Sequence, residues 1–312
     1  MYFGGKSKVA SVIWQRFGDA PHFIDPFFGS NAVLLNRPHK PQVETINDID
    51  CFVSNFWRAV KYAPDEVAKW AIAPVSEVDL HAIHRYLVMG PDTEDFAKQM
   101  RLDPEYYNAK FAGWWIYGIN LWIGTGWCTE ALTSKLPFIA GRGRALVNSY
   151  HAYHAQGKDC SEKQGGGDEQ LIHDLSERMK HVRVCCGDWP RILGDATIGF
   201  KSPCAILLDP PYTQEGRCRT YKNDTADIAQ EVRDWAVAHG DDKSLRIAYC
   251  GYEGMDFPKT WEKYEWKANG GYGNQGEAQG RENARKERIW FSPHCLTTSL
   301  FDFEEEVQND TD

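Results

Sequence analysis

The stretch Ala205-Ile206-Leu207-Leu208-Asp209-Pro210-Pro211-Tyr212 decides the fold. Four apolar residues in a row read as a buried strand, and the strand ends at Asp209. A carboxylate, two prolines and an aromatic then stand at the carboxyl end of that strand, where open α/β sheets place their sites. Each residue type has a physical use there. A carboxylate accepts a hydrogen bond from an amino group and so turns the nitrogen lone pair toward an electrophile. The prolines stiffen the turn and leave carbonyls free, since proline offers no backbone donor. The Tyr212 ring can stack on a planar base. The same four residues also suit a plain turn in which Asp caps a helix and proline punctuates, so the motif needs company.

Company is found toward the N-terminus. His22 to Ile24 is a short strand candidate ending at Asp25, followed by Pro26-Phe27-Phe28-Gly29-Ser30-Asn31. A helix is expected from Gly29 to Asn36. A strand, a glycine-containing turn and a helix bring backbone amides to an adenosine-type ligand at a helix N-terminus. The G-x-G-x-x-G fingerprint is absent, which argues against a nicotinamide enzyme, and no P-loop occurs. Val43 to Ile46 is a second strand, ending at Asn47 and Asp48. A carboxylate at Asp48 suits ribose hydroxyls. Cys51 to Tyr62 has helical spacing, with Asp50 its expected cap. Gly4-Gly5-Lys6 allows close backbone approach to a ligand and offers a cation. Val182 to Cys186 is a strand followed by Gly187-Asp188-Trp189, where Asp188 is placed to accept from a base amino group. Asp227 to His239 reads as a helix, and Leu245 to Tyr249 and Ile289 to Phe291 as strands.

The chain has 312 residues, 42% hydrophobic and 25% charged, which is ordinary for a globular protein. A net charge of −9 excludes a protein that coats nucleic acid by charge alone, though not a local basic groove. The nine cysteines are scattered, with no Cys-x-x-Cys pair, and read as reduced thiols. No apolar leader and no membrane-spanning stretch is seen, so a soluble intracellular protein is expected. Strand-helix alternation breaks off over residues 64–180, which is far longer than a connection. Within it, Phe111, Trp114, Trp115 and Gly118 have packed-helix spacing. Trp122 and Trp127 are the candidates there for exposed stacking. The tail 301–312 is acidic and expected to be disordered.

Taken in order, these pieces resemble the Dam-like adenine-N6 DNA methyltransferases. Gly4 to Lys6 is similar to that family's N-terminal cofactor motif. Asp25 to Asn31 resembles its D/E-P-F-x-G-x-G turn, with Asn31 where a second small residue is common. Asp48 in INDID and Asp188 in CGDW match its acidic cofactor positions, and Asp209 to Tyr212 its D-P-P-Y. IAYCGYEG and RKERIWFS look like its weaker C-terminal motifs. The resemblance covers residues 2–62 and 182–292. It implies a Rossmann-like S-adenosylmethionine-dependent methyltransferase sheet in residues 1–63 and 181–300. The segment 64–180 becomes an inserted, mainly helical target-recognition subdomain.

The resemblance implies a site-specific enzyme that flips an adenine from double-stranded DNA and methylates its N6 directly. Asp209, Pro210, Pro211 and Tyr212 would be catalytic. Tyr2, Gly4, Gly5, Lys6, Asp25, Pro26, Phe27, Gly29, Asp48, Asp188, Trp189 and Asp209 would hold S-adenosylmethionine, which leaves as S-adenosylhomocysteine. No metal is implied. The basic loops containing Lys135, Arg142 and Arg144, and Arg281 and Arg285, are candidate phosphate contacts. A prokaryotic or phage-infected cytoplasm is the implied setting, with no membrane role and with room for a restriction endonuclease partner. Cytosine-N4 or RNA methylation on the same fold, and a non-catalytic DNA-binding module, are the competing readings. Asp rather than Ser at position 209 favours adenine.

Overall fold

The computed structural model describes residues 6–103, 105–122, 127–128, 167–211, 228–266 and 287–297. The described strands form one seven-stranded sheet. In chain order they are β1 (His22–Asp25), β2 (Val43–Asp48), β3 (Val182–Cys186), β4 (Cys204–Leu208), β5 (Leu245–Tyr252), β6 (Glu262–Glu265) and β7 (Glu287–Phe291). Their order across the sheet is β3-β2-β1-β4-β5-β7-β6. The first five are parallel, and β7 runs antiparallel to β5 and to β6. His22 of β1 pairs with Val43 on one side and Cys204 on the other, so the order reverses at β1. The expected Rossmann-like α/β class is what the sheet displays.

The alternation of side chains along each strand builds two cores. Phe23, Ala205, Leu207, Ala248, Ile289 and Phe291 face one apolar cluster. Ile24, Cys204, Ile206, Leu208, Ile247, Tyr249 and Trp290 face the other. Parallel strands covered on both faces read as unbroken apolar runs, which is why Ala205 to Leu208 shows no polar alternation. Phe23 is fully buried against Trp14 and Phe17 of α1 (Ala10–Phe17). Truncating it to Ala would cost about 3–5 kcal/mol.

The helix α2 is shorter than expected, spanning Ala32–Leu35. The turn before it takes left-handed backbone at Gly29 (φ 43°) and at Asn31 (φ 59°). Asn is among the few non-glycine residues that enter that region readily, so it can stand where a second small residue is common. α3 (Cys51–Tyr62) has the expected bounds, and Asp50 caps it by accepting from the Phe52 amide at 2.8 Å. The edge strand β6 was not expected. Its Glu-Lys-Tyr-Glu sequence is largely exposed and carries no apolar signal.

Residues 64–180 contribute α4 (Pro64–Ala71), α5 (Glu77–Met89), α6 (Thr93–Leu102), α7 (Ala109–Leu121) and α8 (Gly167–Met179). Leu80, Leu87, Phe96, Phe111 and Trp115 pack in the same cluster as Phe56 and Val60 of α3. Arg58 of α3 donates to the carbonyls of Asp103 and Tyr106 at 3.0 and 2.7 Å. Asn55 donates to Asn108 O at 2.9 Å and accepts from Asn108 N at 2.8 Å. Trp122 and Trp127 are buried rather than presented for stacking, and both rings lie against His84. Trp127 also covers Gly118, where any Cβ would collide with its ring.

Candidate active site

Four carboxylates stand at the carboxyl edge of the sheet, and each is put there by the end of a strand. Asp25 ends β1 and Asp48 ends β2. Asp188 follows β3 and Asp209 follows β4. They flank the reversal of strand order at β1, the position where open α/β sheets bind ligands.

Asp25 is buried, and its Oδ1 accepts from the Phe27 amide at 3.1 Å. Burial holds its carboxyl well above the usual range, with Asp209 and Asp48 adding to the effect and the Phe27 amide and Lys6 opposing it. Asp48 is half-buried and accepts from the amides of Gly29 at 3.3 Å and Asp50 at 2.9 Å. Burial pushes its carboxyl up to about 7; nearby Asp50 adds, and the two amides work against the rise. Asp188 is exposed at the rim and accepts from the Trp189 amide at 2.9 Å, at the start of a 3-10 turn over Trp189–Ile192. Pro26 and Gly29 are buried beside Asp25. The rings of Phe27 and Trp189 are in contact, with centroids 6.3 Å apart.

Lys6 brings a cation to this edge. It is buried, and its Nζ lies 2.8 Å from Asp209 Oδ2 and 3.9 Å from Glu287 Oε2. Burial disfavours the ammonium, but Asp209, with Cys250 and Glu287, outweighs that and raises its pKa. Asp209 is a fifth exposed, Pro210 is buried and Pro211 is half-buried.

The sequence-derived residues Lys6, Asp25, Pro26, Phe27, Gly29, Asp48, Asp188, Trp189, Asp209, Pro210 and Pro211 thus belong to one edge. Tyr2, Gly4, Gly5, Tyr212, Lys135, Arg142, Arg144, Arg281 and Arg285 lie outside the described residues. Two residues at the same edge were not singled out by sequence. Glu287 stands in the basic run RKER, where it reads as a dilution of positive charge. Asn47 reads as one more residue of a strand. Its Nδ2 donates to Pro26 O at 3.2 Å and to Gly187 O at 2.8 Å.

The donor and acceptor set fits a nucleoside that carries a free amino-acid arm. It offers a buried acid, a second acid with both oxygens held by amides, an acid at the rim and an indole beside it. Among the described residues no group of three His, Cys, Asp or Glu side chains is placed to hold a metal ion. Among them too, no helix is long and apolar enough to cross a membrane.

Residues 2–108 match the family model described as D12 class N6 adenine-specific DNA methyltransferase. The match takes in Lys6, the Asp25 turn and Asp48, and stops before Asp188 and Asp209. No curated protein matches the chain. The match bears out the resemblance to the Dam-like adenine-N6 DNA methyltransferases over residues 2–108.

Proposed function

We propose that this chain is an adenine-specific DNA methyltransferase, which moves a methyl group from S-adenosylmethionine to adenine N6 in double-stranded DNA by extruding the base and transferring in line. The observation that supports this reading most is the gathering of Asp25, Asp48, Asp188, Asp209 and Lys6 at the sheet edge where strand order reverses.

S-adenosylmethionine supplies a sulfonium methyl group as the electrophile. In this reading Asp25 receives the methionine ammonium, which gives a buried carboxyl a charged partner. Asp48 accepts from the ribose hydroxyls. Asp188 accepts from the adenine amino group of the cofactor. Trp189 offers its ring beside that base, braced by Phe27. Pro26 and Gly29 shape the turn, and Tyr2, Gly4, Gly5 and Lys6 are assigned to cofactor binding.

At the target base, Asp209 and the Pro210 carbonyl accept from the amino group and orient its lone pair. Pro211 stiffens the turn, and Tyr212 stacks on the extruded ring. Lys6 gives the Asp209 carboxylate a charged partner and fixes the direction of one oxygen. Orientation supplies most of the rate, since the nitrogen can shed its proton after attack. We assign the chemistry to residues 1–63 and 181–300, and target reading to 64–180. Lys135, Arg142, Arg144, Arg281 and Arg285 are assigned to DNA phosphates. The enzyme would act on DNA in the cytoplasm of a prokaryotic or phage-infected cell.

The test is transfer of labelled methyl to unmethylated genomic DNA, read by nucleoside mass spectrometry. N6-methyldeoxyadenosine is expected with the wild type and is expected to vanish with Asp209→Ala. Label on deoxycytidine would overturn the base assignment, and undiminished transfer by the variant would overturn the role of Asp209.

A further inference from the structure

Asn47 is the penultimate residue of β2 and is 1% exposed. The two hydrogens of its amide nitrogen are shared between two turns. One goes to Pro26 O at 3.2 Å, in the turn after β1. The other goes to Gly187 O at 2.8 Å, in the turn after β3. Carbonyls only accept, so the nitrogen and not the oxygen of the amide must face them.

The position of this amide matters because β1 and β3 do not touch: β2 lies between them. The turn after β1 carries Asp25 and Phe27, and the turn after β3 carries Asp188 and Trp189. Strand pairing fixes each turn to β2 through the main chain. Phe28 N donates to Asn47 O at 3.3 Å, and Gly187 N donates to Asp48 O at 3.1 Å. The Asn47 side chain ties the two turns to one another. Gly187 is suited to this tie. Its φ of +152° is hard for a residue with a Cβ, and a Cβ there would collide with Arg191.

We infer that Asn47 is a positioning residue, which sets the spacing between the two walls of the cofactor pocket by holding the turns after β1 and β3 on one amide. The inference rests on the cofactor reading above. A ligand that spans both walls gains from having their spacing fixed in advance. A ligand that reaches Asp48, Asp188 and Trp189 but not Asp25 gains little.

The experiment compares two ligands on the full chain. S-adenosylhomocysteine spans both walls, and adenosine lacks the amino-acid end. Affinities are measured by calorimetry, directly and by competition, on the wild type and Asn47→Ala. The variant should bind S-adenosylhomocysteine about tenfold more weakly and adenosine less than about twofold more weakly, in the range of a lost hydrogen bond and its preorganisation. Equal losses for both ligands, or none for either, would overturn the inference. Asn47→Asp keeps the volume, loses both donors and should show the same selective loss, so it serves if the Ala variant does not fold. If neither variant folds, Asn47 holds the fold rather than the pocket, and the inference is overturned. A wild type that binds neither ligand would overturn the cofactor reading itself, and the inference with it.

Discussion

Lys6 Nζ lies 2.8 Å from Asp209 Oδ2, so one buried ammonium ties the start of the described chain to the turn after β4. Removing one member of a buried pair leaves the other charged and unmatched. Asp209→Ala should therefore lose stability as well as activity. Glu287, 3.9 Å from the same ammonium, moderates the loss. We expect the variant to be less stable by about 3 kcal/mol in urea denaturation, and Lys6→Met/Asp209→Ala to regain much of it. Full stability in the single variant would contradict a working ion pair. Activity should be compared in Asp209→Asn as well, which keeps the shape of the side chain.

Asp48 gives the site a pH dependence whose sign can be worked out. Its carboxyl sits at about 7 in the folded chain, against 3.8 for the free group, and burial is the main cause. Between those values the folded chain holds a proton that the unfolded chain has released. This contribution to stability is full below the unfolded value and is lost as pH rises through about 7. Cofactor affinity should move the other way, because the ionised carboxylate is the better acceptor for ribose hydroxyls. From about pH 6 to about pH 8 the affinity for S-adenosylhomocysteine should rise by up to about tenfold. Asp25, also raised by burial, remains in Asp48→Asn, so the difference between the two curves isolates Asp48. Identical curves would remove Asp48 from the binding step.

Gly187 offers a check on the backbone of the same pocket. Its φ of +152° strains any residue with a Cβ, and that Cβ would push on the Arg191 guanidinium. Gly187→Ala should destabilise the chain by about 1–3 kcal/mol. Because Asp188 and Trp189 follow directly, S-adenosylhomocysteine binding should weaken with it. A melting temperature and affinity both equal to those of the wild type would show that the turn can relax at no cost.

Much of this was legible in the sequence because it was written in local patterns. Ala205 to Leu208 is unbroken and apolar because both faces of β4 are covered, and Asp50 precedes α3 because the helix needs an acceptor for its first amides. The carboxylates at Asp25, Asp48, Asp188 and Asp209 could be read as site residues because each ends a strand or follows one within two residues. β6 could not be read, since an exposed edge strand needs no apolar residues. The short α2 was hidden by two left-handed residues, Gly29 and Asn31, whose conformation is set by the turn rather than by helical spacing. Asn47 and Glu287 were hidden for a different reason. Their partners lie far away along the chain, at Gly187 and Lys6, and no local pattern marks such a pair.

The stability of the sheet is separable from its chemistry. Glu44 of β2 is 1% exposed and accepts from Arg178 of α8 at 2.7 and 2.8 Å and from Arg37 at 3.2 Å. Arg178 also donates to Leu34 O at 3.0 Å, so this carboxylate holds the helix that returns from residues 64–180 against α2 and the sheet. Glu44 pairs with Phe23 and Val182, toward the amino ends of the parallel strands and away from the edge that carries Asp25 and Asp48. Glu44→Gln takes the counter-charge from Arg178 and one of two from Arg37, which keeps Asp19 at 3.6 Å, and should cost about 3 kcal/mol. Cofactor affinity in the folded fraction should stay within about twofold of the wild type, since distant sites are nearly additive. Chemical denaturation and calorimetry on the same sample decide it. A large loss of affinity at unchanged stability would mean that this network reaches the pocket, and that the return helix and the sheet edge are coupled.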